Sequence, residues 1–216
     1  MSRSERAFVL HRTRLRPVPG LPEIRLQLGD DVFRLWRDVQ TATGDPDAAL
    51  PYWAFAWGGG LAIGRYLLDR PDLVVGRTVR DVAAGSGLCA IVAARQGARV
   101  VTAVDIDSFA AAAIGLNARA NGVRVDVVRD DGLRDPLPLG VDVVLAGDCF
   151  YDARLADRAL PWLRAAADAG ALVLVGDPGR RYLPLDALDE LAAYEVRTTT
   201  ELEDLALKRA AVYALR

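Results

Sequence analysis

Asp81-Val82-Ala83-Ala84-Gly85-Ser86-Gly87 closes the first of a series of short apolar runs, and Asp105 closes the next. Gly85 and Gly87 let the backbone turn sharply between a strand and a helix and come close to a ligand. The free N–H groups at that helix start suit anionic oxygens. An acid at the end of the following strand, roughly twenty residues on, is placed to grip both hydroxyls of a ribose. Open α/β sheets bind ligands outside the carboxyl ends of their strands, so this stretch predicts a fold and a ligand class together.

The flanking residues repeat the alternation. Residues 79–83 predict a strand, 88–96 a helix stopped by Gly97, and 99–104 a second strand. A helix over 108–121 has its N-cap at Asp107 or Ser108 and its end at Gly122. Strands at 123–128, 142–146 and 171–176 follow, with a helix at 155–169 between the last two. Strands alternating with helices of this length imply right-handed βαβ units, and continuous Val/Leu/Ala runs imply helices on both faces. Residues 194–200 and 209–215 are strand-like, and the connection between them has no room for an ordinary crossover helix. The expected fold is Rossmann-like α/β: seven strands, mostly parallel, helices on both faces, and a C-terminal antiparallel hairpin. Earlier, Val18-Pro19-Gly20-Leu21-Pro22-Glu23 reads as a turn, and Ile24, Leu26 and Leu28 alternate as in a short strand.

Composition narrows the function classes. With 216 residues, 52% of them hydrophobic, one domain is expected, residues 1–60 forming an arm and leading segment and 78–216 the core. No apolar run reaches the ~18 residues of a membrane span, and a net charge of −2 gives no pull toward nucleic acid or anionic membrane. The expectation is therefore a cytoplasmic protein with neither of these partners. Cys89 and Cys149 lack ligand spacing and suit a reducing compartment; no metal is expected. His11 is the one histidine, which excludes the usual His-based triads. Arg3, Arg6, Arg12, Arg14 and Arg16 suggest either a transit peptide or an arm of the domain. Lys208 is the sole lysine and is expected near the last hairpin, away from the strand ends.

Two cofactors compete for the glycine loop. Gly85-x-Gly87-x-x-Ala90 also fits a dinucleotide fingerprint. Against that, the chain is short for a separate catalytic domain, and residue 204, four before Lys208, is Asp where a Tyr-x-x-x-Lys dehydrogenase needs tyrosine. Asp130-Asp131 after the third strand lies where S-adenosylmethionine (SAM) enzymes bind adenine, so SAM is the expected cofactor. Asp107 is more plausibly a helix cap than a ligand, and one of Asp130 and Asp131 is a solvated charge.

Residues 51–60, Pro-Tyr-Trp-Ala-Phe-Ala-Trp-Gly-Gly-Gly, resemble the segment ahead of the first strand in seven-β-strand protein lysine methyltransferases. Asp148-Cys149-Phe150-Tyr151 is similar to their (Asp/Glu)-x-x-(Tyr/Phe) signature. Residues 18–25 and Gly176-Asp177-Pro178-Gly179-Arg180 resemble the branch acting on the electron transfer flavoprotein β subunit, whose bacterial members often carry a nicotinamide N-methyltransferase label. The resemblance spans about residues 15–216, so it assigns the arm to the domain. Ala83 departs from it, since relatives commonly have glycine there.

The resemblance implies Trp57 near the methionine end of SAM, Gly85 and Gly87 along its tail, Asp105 on the ribose, and Asp131 (or Asp130) with Gly132 at the adenine. For Trp53 and Phe55 plain core packing is the expectation, and Cys149 reads as buried filler. Asp148 would accept hydrogen bonds from the incoming amine and Tyr151 would shape its channel, with Asp152 the better-placed helix cap. A small-molecule N-methyltransferase, nicotinamide-like in substrate, and a non-catalytic SAM-binding protein are the alternatives. The electron transfer flavoprotein β subunit is the expected protein substrate, and Glu201, Glu203 and Asp204 could supply an acidic rim for it.

Overall fold

A computed structural model describes residues 3–197 and 207–216. The core is a seven-stranded sheet in the order β5-β4-β3-β6-β7-β9-β8. Its strands are β3 (Thr78–Val82), β4 (Val100–Asp105), β5 (Asp126–Arg129), β6 (Val143–Gly147), β7 (Leu172–Asp177), β8 (Leu188–Arg197) and β9 (Leu207–Leu215). The first five run parallel, and β9 pairs antiparallel with both β7 and β8. This is the mostly parallel sheet with a terminal hairpin that the sequence predicts. The order reverses at β3, which opens the crevice beyond its carboxyl end.

The connecting helices are α4 (Leu88–Arg95), α5 (Ser108–Ala120) and α6 (Ala153–Asp168). Asp107 caps α5 by accepting from the Phe109 N–H at 2.7 Å, and Asp152 caps α6 through the Leu155 N–H at 3.1 Å. β5 is shorter than expected, because Val123 is still bonded to the Ala118 carbonyl at the end of α5. α6 carries Trp162, Leu163 and Ala166 onto one face of the sheet.

The N-terminal part holds more structure than its sequence suggested. α1 (Arg3–Arg12) lies on α5, with Phe8 and Phe109 ring centroids 4.8 Å apart. β1 (Arg14–Val18) and β2 (Leu21–Leu28) form an antiparallel hairpin. α2 (Val32–Thr43) is capped by Asp31 and ended by Gly44 in the left-handed conformation. α3 (Gly58–Asp69) begins with three glycines that read as loop in isolation.

Packing explains one of those glycines, Gly59, and two glycines on the strands it crosses. A Cβ on Gly59 would stand 2.1 Å from the Gly176 carbonyl oxygen, and one on Gly176 would stand 2.2 Å from that of Gly59. On the other side, a Cβ on Gly147 would come within 3.2 Å of the Gly60 backbone. The start of α3 therefore crosses the carboxyl ends of β6 and β7 backbone on backbone, which only glycine permits.

One placement is corrected. Because β9 runs against β7, with Ala211 opposite Asp177, its first residues continue past the carboxyl edge of β7. Lys208 thus stands on the same edge of the sheet as the ligand crevice, paired in register with Val196, and not away from the strand ends. Glu201, Glu203 and Asp204 lie outside the described residues.

Candidate active site

The carboxyl ends of β3, β4 and β6, the start of α3 and the turn at residues 51–57 enclose a cavity of about 280 Å³. At its β4 end, Asp105 is fixed by two backbone donors: Gly85 N–H to Oδ2 at 2.8 Å and Asp107 N–H to Oδ1 at 2.9 Å. Gly85, at φ 51, turns the chain where a side chain would be strained. Ala83, at φ 50, adopts the same unusual region, one that favours glycine. Burial raises the pKa of Asp105, with these N–H groups opposing it.

The opposite end is built around Asp148, itself left-handed at φ 56 because its N–H is tied to the Gly176 carbonyl at 2.8 Å. Its side chain is 11% exposed. Oδ2 accepts from the Gly60 N–H at 2.9 Å, at the positive end of α3, and Oδ1 accepts from the Arg180 guanidinium at 3.0 Å. Desolvation raises the Asp148 pKa, while Arg180 and the helix N–H groups pull it down. With Asp152 occupied in capping α6, Asp148 is left for the cavity.

Arg180 is positioned by Asp177, whose Oδ1 accepts from the Gly179 and Arg180 N–H groups at 2.7 and 2.6 Å. Its guanidinium carbon lies 5.8 Å from the centroid of Trp57. The Trp57 indole donates to the Tyr52 carbonyl at 2.8 Å, and the Tyr52 ring lies 5.5 Å from Trp57 and 5.2 Å from Tyr151. Tyr151 is 43% exposed, at the mouth. Its phenol is pushed up to about 12 by burial, so it is neutral at physiological pH.

The cavity thus gathers Trp57, Gly85, Asp105, Asp148 and Tyr151 from the residues singled out in the sequence. Gly87 is not on its wall. It starts α4 in the left-handed conformation, with Ile114 3.0 Å from where its Cβ would be. Asp131 and Gly132 also lie off the wall: Asp131 pairs with Arg158, and Gly132 packs on Val104. Asp130 pairs with Arg134. That end is lined by Ile106, Asp107 and Ala110 instead.

Several wall residues carried no readable signal. Ile106 is 69% exposed, an apolar surface beside Asp105. Asp81 is buried behind the glycine loop, accepting from the Ala90 N–H, and desolvation pushes its pKa up to about 7. Arg180 reaches the site across 32 residues of sequence, which only the fold closes. Trp53 packs in the core as expected, stacked on Phe109, yet it also lines the cavity. Its buried indole N–H has no partner among the described residues. Asp105, braced by two backbone donors on the cavity wall, fits a ligand that offers hydroxyls, as SAM does.

Comparison with known proteins agrees. The model of the ribosomal protein L11 methyltransferase (PrmA) family matches residues 67–147. The electron transfer flavoprotein beta subunit lysine methyltransferase of Xenopus laevis is 37% identical, over 97% of this chain and 86% of that one. Its Homo sapiens counterpart is 33% identical, over 98% and 82%. The chain belongs to the electron transfer flavoprotein β subunit lysine methyltransferase family. It is a methyltransferase, and its cofactor is S-adenosylmethionine. Solved structures share the fold: magnesium protoporphyrin IX methyltransferase from Synechocystis, with bound SAH, aligns at a TM-score of 0.54 and 15% identity, over 85% of this chain and 94% of that one. Trm5b from Pyrococcus abyssi aligns at 0.53 and 17%, over 89% and 53%.

Proposed function

We propose that this protein methylates lysine side chains of the electron transfer flavoprotein β subunit. The observation that carries the reading is a largely buried carboxylate, Asp148, on the wall of a cavity lined by Tyr52, Trp57 and Tyr151, in a chain whose family is named for that reaction. Asp105, Gly85 and Trp57 are the groups that would hold the cofactor. When bound, it supplies a methyl already activated on a sulfonium, so no general acid or metal is needed to activate the donor.

The protein's task is then to present an uncharged nitrogen in line. A lysine has a pKa of about 10.4 in water and is nearly all protonated at neutral pH. Tyr52, Trp57 and Tyr151 wall the approach with rings and remove water from it, which disfavours the ammonium. Asp148 accepts hydrogen bonds from the amine, fixes the lone pair, and offsets the positive charge that develops on nitrogen. Its own position is set by the start of α3, which the close glycine crossing locks in place.

The test is incubation of purified protein and SAM with the β subunit from the same organism, nicotinamide and other pyridines alongside, followed by mass spectrometry of lysine peptides. The expected result is mass gain on lysines of the subunit. Turnover confined to the free pyridines would overturn the reading in favour of a small-molecule methyltransferase.

A further inference from the structure

A carboxylate beside the substrate amine raises a difficulty. Opposite charge within ~4–6 Å stabilises the ammonium, the form that cannot react. Asp148 alone would therefore bind the lysine well and hold it protonated.

Arg180 answers this. Resting on the functional reading above, we infer that Arg180 is a positioning residue that neutralises Asp148, so that the amine received there arrives uncharged. The guanidinium occupies Oδ1 at 3.0 Å, and the Gly60 N–H occupies one lone pair of Oδ2. A carboxylate has about four acceptor sites, and the Arg180, Gly60 and Gly59 N–H groups leave one for the amine. The amine then meets a hydrogen-bond acceptor that belongs to a neutral pair. It is oriented without being held in its charged form.

The geometry is built for this. Asp177 fixes the turn that carries Arg180, the Trp57 ring lies beneath the guanidinium, and Arg180 itself lines the cavity. Other titratable groups around Asp148 are Asp177 at the end of β7, Asp81 and Asp105 on β3 and β4, Cys89 on α4, and Cys149, Tyr151 and Asp152 after β6. Tyr52 stands in the turn before α3. Burial raises Asp177 to about 6 and lifts both thiols and both phenols, so none of those four carries charge at neutral pH. Among the described residues, Arg180 is the cation on that carboxylate.

Before transfer the ammonium releases its proton to solvent. The amine lone pair then forms the N–C bond, and the C–S electron pair remains on sulfur. Without the guanidinium, Asp148 and the amine together hold one more proton at neutral pH, whichever atom carries it. Reaction then requires a higher pH.

Two measurements decide the matter. In protein carrying ¹³C-labelled aspartate carboxyls, with D148N assigning the signal, the Asp148 titration of wild type is compared with R180Q and R180K. R180Q is expected to titrate about 1 to 2 pH units higher, and R180K close to wild type. At saturating lysine peptide, the acidic limb of kcat should move up by a similar amount in R180Q, its rate deficit shrinking as pH rises. SAM affinity by calorimetry should hold in all three proteins, establishing that the site is folded. A uniform loss of rate at every pH, with Asp148 titrating unchanged, would show Arg180 to be structural only and end the inference. If wild type methylates no lysine at all, the functional reading falls, and the carboxyl titration still decides whether Arg180 neutralises Asp148.

Discussion

On the proposed reading Asp105 holds the cofactor and Asp148 the substrate amine, and single substitutions separate the two. Asp105→Ala removes the carboxylate expected on the ribose, worth two charge-assisted hydrogen bonds of ~1.5–3 kcal/mol each. It also strands the Gly85 and Asp107 N–H groups that Asp105 satisfies. Calorimetric titration should show SAM affinity reduced by at least about 100-fold, the equivalent of ~2.7 kcal/mol. Near wild-type affinity in the folded variant would discard that assignment. Asp148→Asn keeps the shape and the acceptor for Gly60 N–H but removes the charge facing Arg180. SAM affinity should hold while transfer to lysine falls on the order of 10²-fold, the cost of a misoriented nucleophile. Joint loss of both would make Asp148 a cofactor ligand. Asp105 was legible because it ends a strand at a fixed spacing from a glycine pair. Arg180 was not, since nothing local marks a turn residue whose partner lies on another strand.

Elements were legible where a single periodicity dominates. β6 and β7 are buried along nearly their whole length, so their Val/Leu/Ala runs reveal them directly. α3 was hidden because Gly58-Gly59-Gly60 lowers helix propensity, and its reason is tertiary: a partner strand too close for any side chain. The consequence is a sharp contrast between neighbours. Gly59→Ala would push a methyl to 2.1 Å from the Gly176 oxygen and 2.7 Å from Asp148 Oδ2. It should cost about 1–3 kcal/mol or more in denaturant unfolding and reduce activity by displacing Asp148. Gly60→Ala meets nothing nearer than 3.8 Å, and it replaces a poor helix former with the best, a gain of up to about 1 kcal/mol. Equal destabilisation of the two variants would contradict the crossing. α2 was missed although its signal does stand in the sequence: the caps Asp31 and Gly44 bracket Val32, Leu35, Trp36 and Val39 at helical spacing.

Taken whole, the molecule buries acids along one edge of its sheet, and this sets its pH dependence. Asp81 is raised to about 7 and Asp177 to about 6, both mainly by desolvation. Between the ordinary carboxyl range and those values, the folded protein binds more protons than the unfolded chain. The stability these two groups contribute should therefore be fully present below about pH 4, fall as pH rises from there through 6 and 7, and level off above that. For Asp81 the shift of about 3 units corresponds to roughly 4 kcal/mol. Asp81→Asn keeps an oxygen for the Ala90 N–H and cannot ionise, so its unfolding free energy should vary less over pH 5–8 and exceed wild type at pH 8. A parallel pH profile would show that Asp81 is not the titrating group.

The strand order carries a consequence for how the protein is made. β9 is synthesised after β8 and yet lies between β7 and β8, contributing Ala210 and Val212 to the core beneath α3. Until residues 207–215 leave the ribosome, β7 presents an unpaired edge and β8 has no neighbour to pair with. The nascent chain can assemble β3 through β7 but must hold an open, apolar sheet edge while it waits. Premature termination or proteolytic loss within this last strand should therefore yield an aggregating chain rather than a shortened enzyme, and a chaperone's demand would centre on that interval.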